Sequence, residues 1–275
     1  MTDQAAMLRA MMAARAPTSI EAAGPPTIVI GSGKGGVGKS VISVLLAERL
    51  AREGRRVLLV DGSQNLGNLH VLLGLKRAGG LEDLLLDMCP ARELLVRVID
   101  DLWLLPSDSG AEALYAMGPL DRARLHHRLS VLYDDFDAVI VDSGAGLESV
   151  VRVATMRATR CVILTVPEPA ALTDAYATIK IVHLQVADLP IDVLVNRAAD
   201  EREGRASFDR LATAAEQFLH RQLQYLGSLQ EDERVRRAVR TPGELARGLP
   251  PGPNHDVLTS VLERLSIPAA ERMAG

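Results

Sequence analysis

This chain has almost no cysteine, few aromatic residues, no long apolar run and no strong excess of either charge. Its two cysteines, Cys89 and Cys161, stand far apart and outside any C-x-x-C, so neither a disulfide framework nor a zinc site is expected. No stretch approaches the roughly 18 apolar residues of a membrane span, and the N-terminus lacks the apolar centre of a signal peptide. A cytoplasmic protein is therefore expected, peripheral at a membrane at most. With 31 Lys and Arg against 35 Asp and Glu, the formal net charge is −4. That balance argues against a surface built as a whole for nucleic acid or anionic lipid. What remains is the composition of a folded chain, 48% hydrophobic and 24% charged over 275 residues, enough to bury a large core.

The pattern along the chain has three parts. Residues 2–14 read as a short helix with Met7, Leu8, Met11 and Met12 on one stripe, Thr2 as its cap and Asp3 at the positive end of its dipole. Pro17, Gly24, Pro25 and Pro26 then mark a linker over residues 16–26. From residue 27 onward short aliphatic runs alternate with longer amphipathic stretches. Strands are expected at 27–30, 57–60, 102–105, 138–141, 161–166, 191–195 and 224–226, with helices between them, among them 41–52 and 172–186. Most of the strand runs are unbroken β-branched or leucine residues, as strands buried on both faces are. The expectation is an α/β fold with a doubly wound, largely parallel sheet. The domain plan is a helix at residues 1–15, a linker at 16–26 and one nucleotide-binding domain at 27–275.

The strongest motif runs from Gly33 through Lys34, Gly35, Gly36, Val37, Gly38 and Lys39 to Ser40. It fits G-x-x-x-x-G-K-[ST] and sits between an expected strand and an expected helix, as a phosphate-binding loop must. Glycines let the backbone wrap phosphates closely, and the helix N-terminus adds a favourable dipole. Lys39 would neutralise the β- and γ-phosphates and the Ser40 hydroxyl would ligate Mg²⁺. Two further strands end in acids, Asp61 and Asp142, at the edge where such sheets bind ligands. Taken alone, each acid is as readily a helix cap or a salt-bridge partner. No Asn-Lys-x-Asp guanine signature is present, so ATP is favoured over GTP.

One lysine suffices for a simple phosphate loop, so Lys34 asks for a reason of its own. The run from Lys34 to Ser40 resembles the deviant Walker A motif of the MinD/ParA ATPases. That resemblance implies an ATP- and Mg²⁺-binding protein that forms a homodimer on ATP, with Lys34 and Lys39 catalytic and Lys34 reaching a second copy's nucleotide. It further implies that Asp142 is the Walker B acid, Asp61 the first acid of switch I, and Asn196 and Arg197, with Val41, part of the nucleotide site, Asn196 on the adenine. The run Leu66 to Gly74 and the run Pro167 to Tyr176 resemble segments of MinD-like proteins. Residues Asp3, Gln4, Ala5, Leu8 and Arg9 fit D-Q-A-x-x-L-R, a motif of the flagellar-number regulators of the FlhG subfamily. In that subfamily the motif docks on the GTPase FlhF and stimulates it, which implies an FlhF-like partner here.

Two departures qualify the resemblance. Where the family's switch I reads Asp-x-Asp, this chain reads Asp61-Gly62-Ser63. Ser63 stands at the position of the water-positioning catalytic acid, and losing a general base costs on the order of 10²–10⁴ in rate. Slow or absent hydrolysis is therefore expected. Val41 stands where many relatives carry a second hydroxyl. Near the C-terminus Val257, Leu258, Val261, Leu262 and Leu265 form an apolar stripe without lysines, which fits a helix packed on the core at least as well as one lying on lipid. Three other readings stay open: a MinD-type ATPase cycling on membranes, a ParA-type partition protein using the arginines at 234–240 on DNA, and an iron–sulfur carrier, which would need well-placed cysteines.

Overall fold

A computed structural model describes residues 24–63, 67–76, 79–86, 88–107, 118–144, 157–265 and 267. The helix and partner motif expected at residues 1–15, which carry Asp3, Gln4, Ala5, Leu8 and Arg9, lie outside the described residues, as does most of the linker. The strands, in chain order, are β1 (Thr27–Gly31), β2 (Val57–Asp61), β3 (Val96–Ile99), β4 (Leu102–Leu105), β5 (Ala138–Asp142), β6 (Arg160–Thr165), β7 (Ile191–Ala198) and β8 (Gln224–Gln230). They form one sheet in the order β3-β4-β2-β5-β1-β6-β7-β8. All neighbours are parallel except β3 and β4. The expected doubly wound, largely parallel fold is what forms.

The helices are α1 (Lys39–Arg52), α2 (Leu69–Leu72), α3 (Leu81–Leu86), α4 (Pro119–Tyr133), α5 (Pro169–Gln185), α6 (Glu201–Leu219), α7 (Glu233–Arg240) and α8 (Pro253–Arg264). Alternation along each strand divides the core into two layers. On β1, Val29 faces a cluster with Leu125, Leu129, Ile179 and Leu211, under α4, α5 and α6. Ile28 and Ile30 face the opposite cluster, with Leu45, Leu46, Leu258 and Val261 of α1 and α8. Each such side chain contributes about 1.5–3 kcal/mol on leaving water, and together they fix the register that carries the strand ends into one edge.

Two elements differ from the expectation, and a third settles an open alternative. β3 was not expected; Val96–Ile99 turns back on β4 through Asp100 and Asp101, the latter at φ 61°. β8 runs past Gly227, where a shifted register against β7 absorbs the glycine at φ 137°. The C-terminal stripe belongs to α8, whose Leu258, Val261 and Leu262 are buried in the core, so the packed alternative is the one realised. Among the described residues no helix is long and apolar enough to cross a membrane.

β8 forms one edge of the sheet, and α8 covers it with side chains. The Gln230 N–H donates to Asn254 Oδ1 at 3.0 Å, and Asn254 Nδ2 donates to the Gln230 carbonyl at 2.9 Å. Farther along, Arg264 Nη1 donates to the carbonyls of Tyr225 and Leu226, at 3.0 and 3.1 Å.

Candidate functional site

The chain passes from β1 to β2 on one side and places β6 on the other, so β1 lies between β5 and β6 at the switch point of the sheet. The segment leaving β1 enters α1 through the glycine-rich loop. Gly36 and Gly38 hold φ of 79° and 97°, backbone that a side chain strains. At Gly38 a Cβ would also lie 2.5 Å from Asn196 Nδ2. The Ser32 hydroxyl donates to the Lys34 carbonyl at 2.9 Å and fixes the entry to the loop. Gly33, Lys34, Gly35, Gly36, Val37, Gly38, Lys39 and Ser40 thus occupy one turn at the N-terminus of a 14-residue helix, with Ser40 half-buried in its first turn.

Asp61 and Asp142 end β2 and β5 as neighbours in register, and both are buried. Lys39 Nζ lies 3.4 Å from Asp142 Oδ1. Neither Asp142 oxygen has a hydrogen-bond partner among the described residues. Buried carboxylate oxygens without partners are costly, and two of them facing a buried lysine suit a divalent cation or its water shell. Asp61 is differently placed. Its Oδ1 accepts the Ser63 N–H at 3.1 Å and its Oδ2 the Leu69 N–H at 3.2 Å, so it ties together the two ends of the segment after β2. Burial, and then the charge of Asp142, push its carboxyl up to about 6 against the pull of those hydrogen bonds.

The remaining expected site residues divide. Lys34 is half-exposed outside the Lys39–Asp142 pair, with its Nζ 2.6 Å from Glu168 Oε2 at the start of α5. The Lys34 hydrogen bond and charge hold the Glu168 carboxyl below its ordinary range. Val37 is buried in the core and offers the site only its backbone; Val41 packs partly against the same layer. Asn196, expected to face a base, spends its amide on the loop itself: Nδ2 donates to the Val37 carbonyl at 2.8 Å, and Oδ1 accepts the Arg197 N–H at 3.0 Å. Arg197 is exposed at φ 55°. Ser63 sits beside Asp61 at the mouth of the site.

Two residues not singled out in the sequence join them. Ser107, directly after β4, donates to the Ser63 carbonyl at 2.8 Å and lies 3.2 Å from Glu82 Oε1 of α3. Its place just past the C-terminal end of a parallel strand was the available signal. Among the described residues no group of three or more His, Cys, Asp or Glu could hold a metal by itself. Cys161 is buried within β6, its thiol pushed up to about 12 by burial, while Cys89 is half-buried beyond α3.

The ParA family, described as NUBPL iron-transfer P-loop NTPases, matches residues 25–263. The chain is 38% identical to the antiactivator FleN of Pseudomonas aeruginosa over 213 residues, 77% of this chain and 76% of that one. It is 35% identical to the flagellum site-determining protein YlxH of Helicobacter pylori over 245 residues, 87% and 82% of the two chains. Among solved structures it resembles the cell division ATPase MinD of Pyrococcus furiosus with a TM-score of 0.70 and 25% identity, covering 88% of this chain and 98% of the other. The family match spans the whole sheet, and the relatives agree with it: the chain belongs to the ParA/MinD family of P-loop NTPases.

Proposed function

We propose that this protein is an ATP-dependent dimeric switch that governs flagellar number or placement through protein partners. The observation that carries it is the second lysine. Lys39 lies in the site beside Asp142, whereas Lys34 stands at the rim, paired to Glu168 on a half-exposed surface. That position supports reading Lys34 as a cation for a phosphate brought by a second copy rather than for one in its own loop. The names FleN and YlxH, an antiactivator and a flagellum site-determining protein, support the flagellar reading, and residues 3–9 support an FlhF-like GTPase as partner.

The residues present fit Mg²⁺ and ATP. The loop N–H groups and Lys39 would hold the phosphates, and Ser40 with Asp142 would hold the metal. Mg-ATP, when bound, supplies the transferable phosphoryl group and the negative charge that draws two copies together. Asp61 orders the segment after β2 by holding Ser63 and Leu69. Lys34 leaves Glu168 when it reaches across, so dimerisation exchanges one solvated ion pair for a contact shielded from water. With a serine at position 63, the chain lacks the carboxylate that would take a proton from attacking water, and it rests long in the ATP state. The buried stripe of α8 leaves little to lie on lipid. Arg234 and Arg236 of α7 are paired with Asp232, Glu231 and Glu233, which weakens the DNA reading.

Light scattering with a non-hydrolysable ATP analogue and Mg²⁺ tests the proposal. Wild type should pass from monomer to dimer, and Lys34→Ala should bind the analogue yet stay monomeric. A dimer that forms equally in Lys34→Ala would return that lysine to the solvated surface.

A further inference from the structure

Asn196 stands near the C-terminal end of β7, and its side chain crosses to the phosphate loop. Two contacts orient its amide. Nδ2 donates to the Val37 carbonyl at 2.8 Å, and Oδ1 accepts the Arg197 N–H at 3.0 Å. Turning the amide over would set oxygen against the Val37 carbonyl and a donor against the Arg197 N–H, so only one orientation satisfies both. The chain is shaped for this contact from each side. Arg197 takes a φ of 55°, left-handed backbone that is unfavourable outside glycine, with its N–H directed at Asn196. Across from it, Gly38 leaves the room that Nδ2 fills, since a Cβ there would lie 2.5 Å from that nitrogen.

The peptide joining Val37 to Gly38 is trans and planar, so its carbonyl and its N–H point in opposite directions. Holding the Val37 carbonyl toward β7 therefore turns the Gly38 N–H away from it. In a glycine-rich loop the N–H groups are what hold phosphate, and a donor fixed before the ligand arrives needs no ordering on binding. We propose that Asn196 is a positioning residue for the phosphates: it holds the Val37–Gly38 peptide so that the Gly38 N–H is preset for them, whatever base the ligand carries. The resemblance gives this asparagine to adenine instead. The two roles separate cleanly, because a reader of the base has no effect on a ligand without one. The role rests on reading Gly33 to Ser40 as the phosphate site, while the contact itself does not.

Calorimetric titration of the full chain with ATP, GTP and inorganic triphosphate, each with Mg²⁺, tests the role. Asn196→Leu keeps the branched shape and removes both donor and acceptor. All three ligands should weaken by a similar factor, roughly 2- to 10-fold, the worth of one neutral hydrogen bond. A loss confined to ATP, with GTP and inorganic triphosphate unchanged, would make Asn196 a reader of adenine and overturn the proposal, as would unchanged affinity for all three. NMR without nucleotide tests the contact. The Gly38 amide nitrogen, which senses a hydrogen bond on the preceding carbonyl, should shift in Asn196→Leu while Gly54 and Gly204, away from the loop, stay in place. Equal shifts at all three glycines would mark general loosening and count against it. Should the variant fail to fold, wild type decides. One side-chain amide proton of Asn196 should lie against the Gly38 α-protons, by nuclear Overhauser effect, both without nucleotide and with saturating Mg-ATP; losing that proximity on ATP would overturn the proposal. If wild type binds neither ATP nor inorganic triphosphate, the phosphate-site reading fails, and the nucleotide-free Gly38 signal still decides whether Asn196 sets this peptide.

Discussion

At position 63 the proposed function rests the lifetime of the nucleotide state on the chemistry of one side chain. Ser63 is bound on both sides of its backbone, by Asp61 through its N–H and by Ser107 through its carbonyl, so a substitution there changes the side chain more than the loop. Ser63→Asp should accelerate single-turnover ATP hydrolysis at least several-fold with affinity nearly unchanged. A fast wild-type rate that the substitution leaves alone would place the catalytic group elsewhere. A second residue-scale prediction concerns Asp192, buried on β7 with Arg160 Nε 3.5 Å away. Burial raises its carboxyl to about 6, against the pull of Arg160. A folded-state value above the unfolded one means that the native protein binds the proton more tightly, so stability falls as pH rises from about 4 to about 6 and stays low above. Asp192→Asn should flatten that slope and stabilise the protein at pH 8 by roughly 1–3 kcal/mol, read by urea unfolding at several pH values. An unchanged slope would show that Asp192 ionises normally.

At the scale of elements, the fold was legible wherever a strand is buried on both faces. β1, β2 and β5 are continuous aliphatic runs, and their period cannot be mistaken for that of a surface helix. β3 was not legible because Val96-Arg97-Val98-Ile99 is short and half-exposed, and it is joined to β4 by only Asp100 and Asp101. A two-residue turn with an aspartate at positive φ is the hairpin signal that would have found it. Gly227 hid the second half of β8 in the same way, since a bulge reads as a break. The phosphate loop and Lys34 were readable because they fall within one local spacing, and Asp61 and Asp142 because each closes a strand run of its own. Glu82, Ser107 and the Lys34–Glu168 pair were not, because each contact joins residues 25 or more positions apart. For the N-terminal element, a peptide of residues 1–15 should stimulate the GTPase of an FlhF-like partner, and Gln4→Ala should abolish the effect. Unchanged GTP turnover at saturating wild-type peptide would remove that partner from the proposal.

For the whole molecule, nucleotide binding should appear as stability. A ligand that binds only the folded state adds about 2.7 kcal/mol at a hundred times its Kd, which for a chain of this size raises the thermal midpoint by roughly 5–10 °C. Mg-ATP should do this for wild type and not for Lys39→Ala; equal shifts would move the site away from this loop. Assembly has a geometry as well as an energy. At the β8 border Asn254 takes up both backbone groups of Gln230, as a neighbouring strand would, and Arg264 occupies the carbonyls at the other end. The sheet therefore cannot be lengthened from that side by a further strand. A copy arriving at that border finds the backbone groups of Gln230 and the carbonyls of Tyr225 and Leu226 already taken, so any contact there would be made through side chains rather than through a continued ladder.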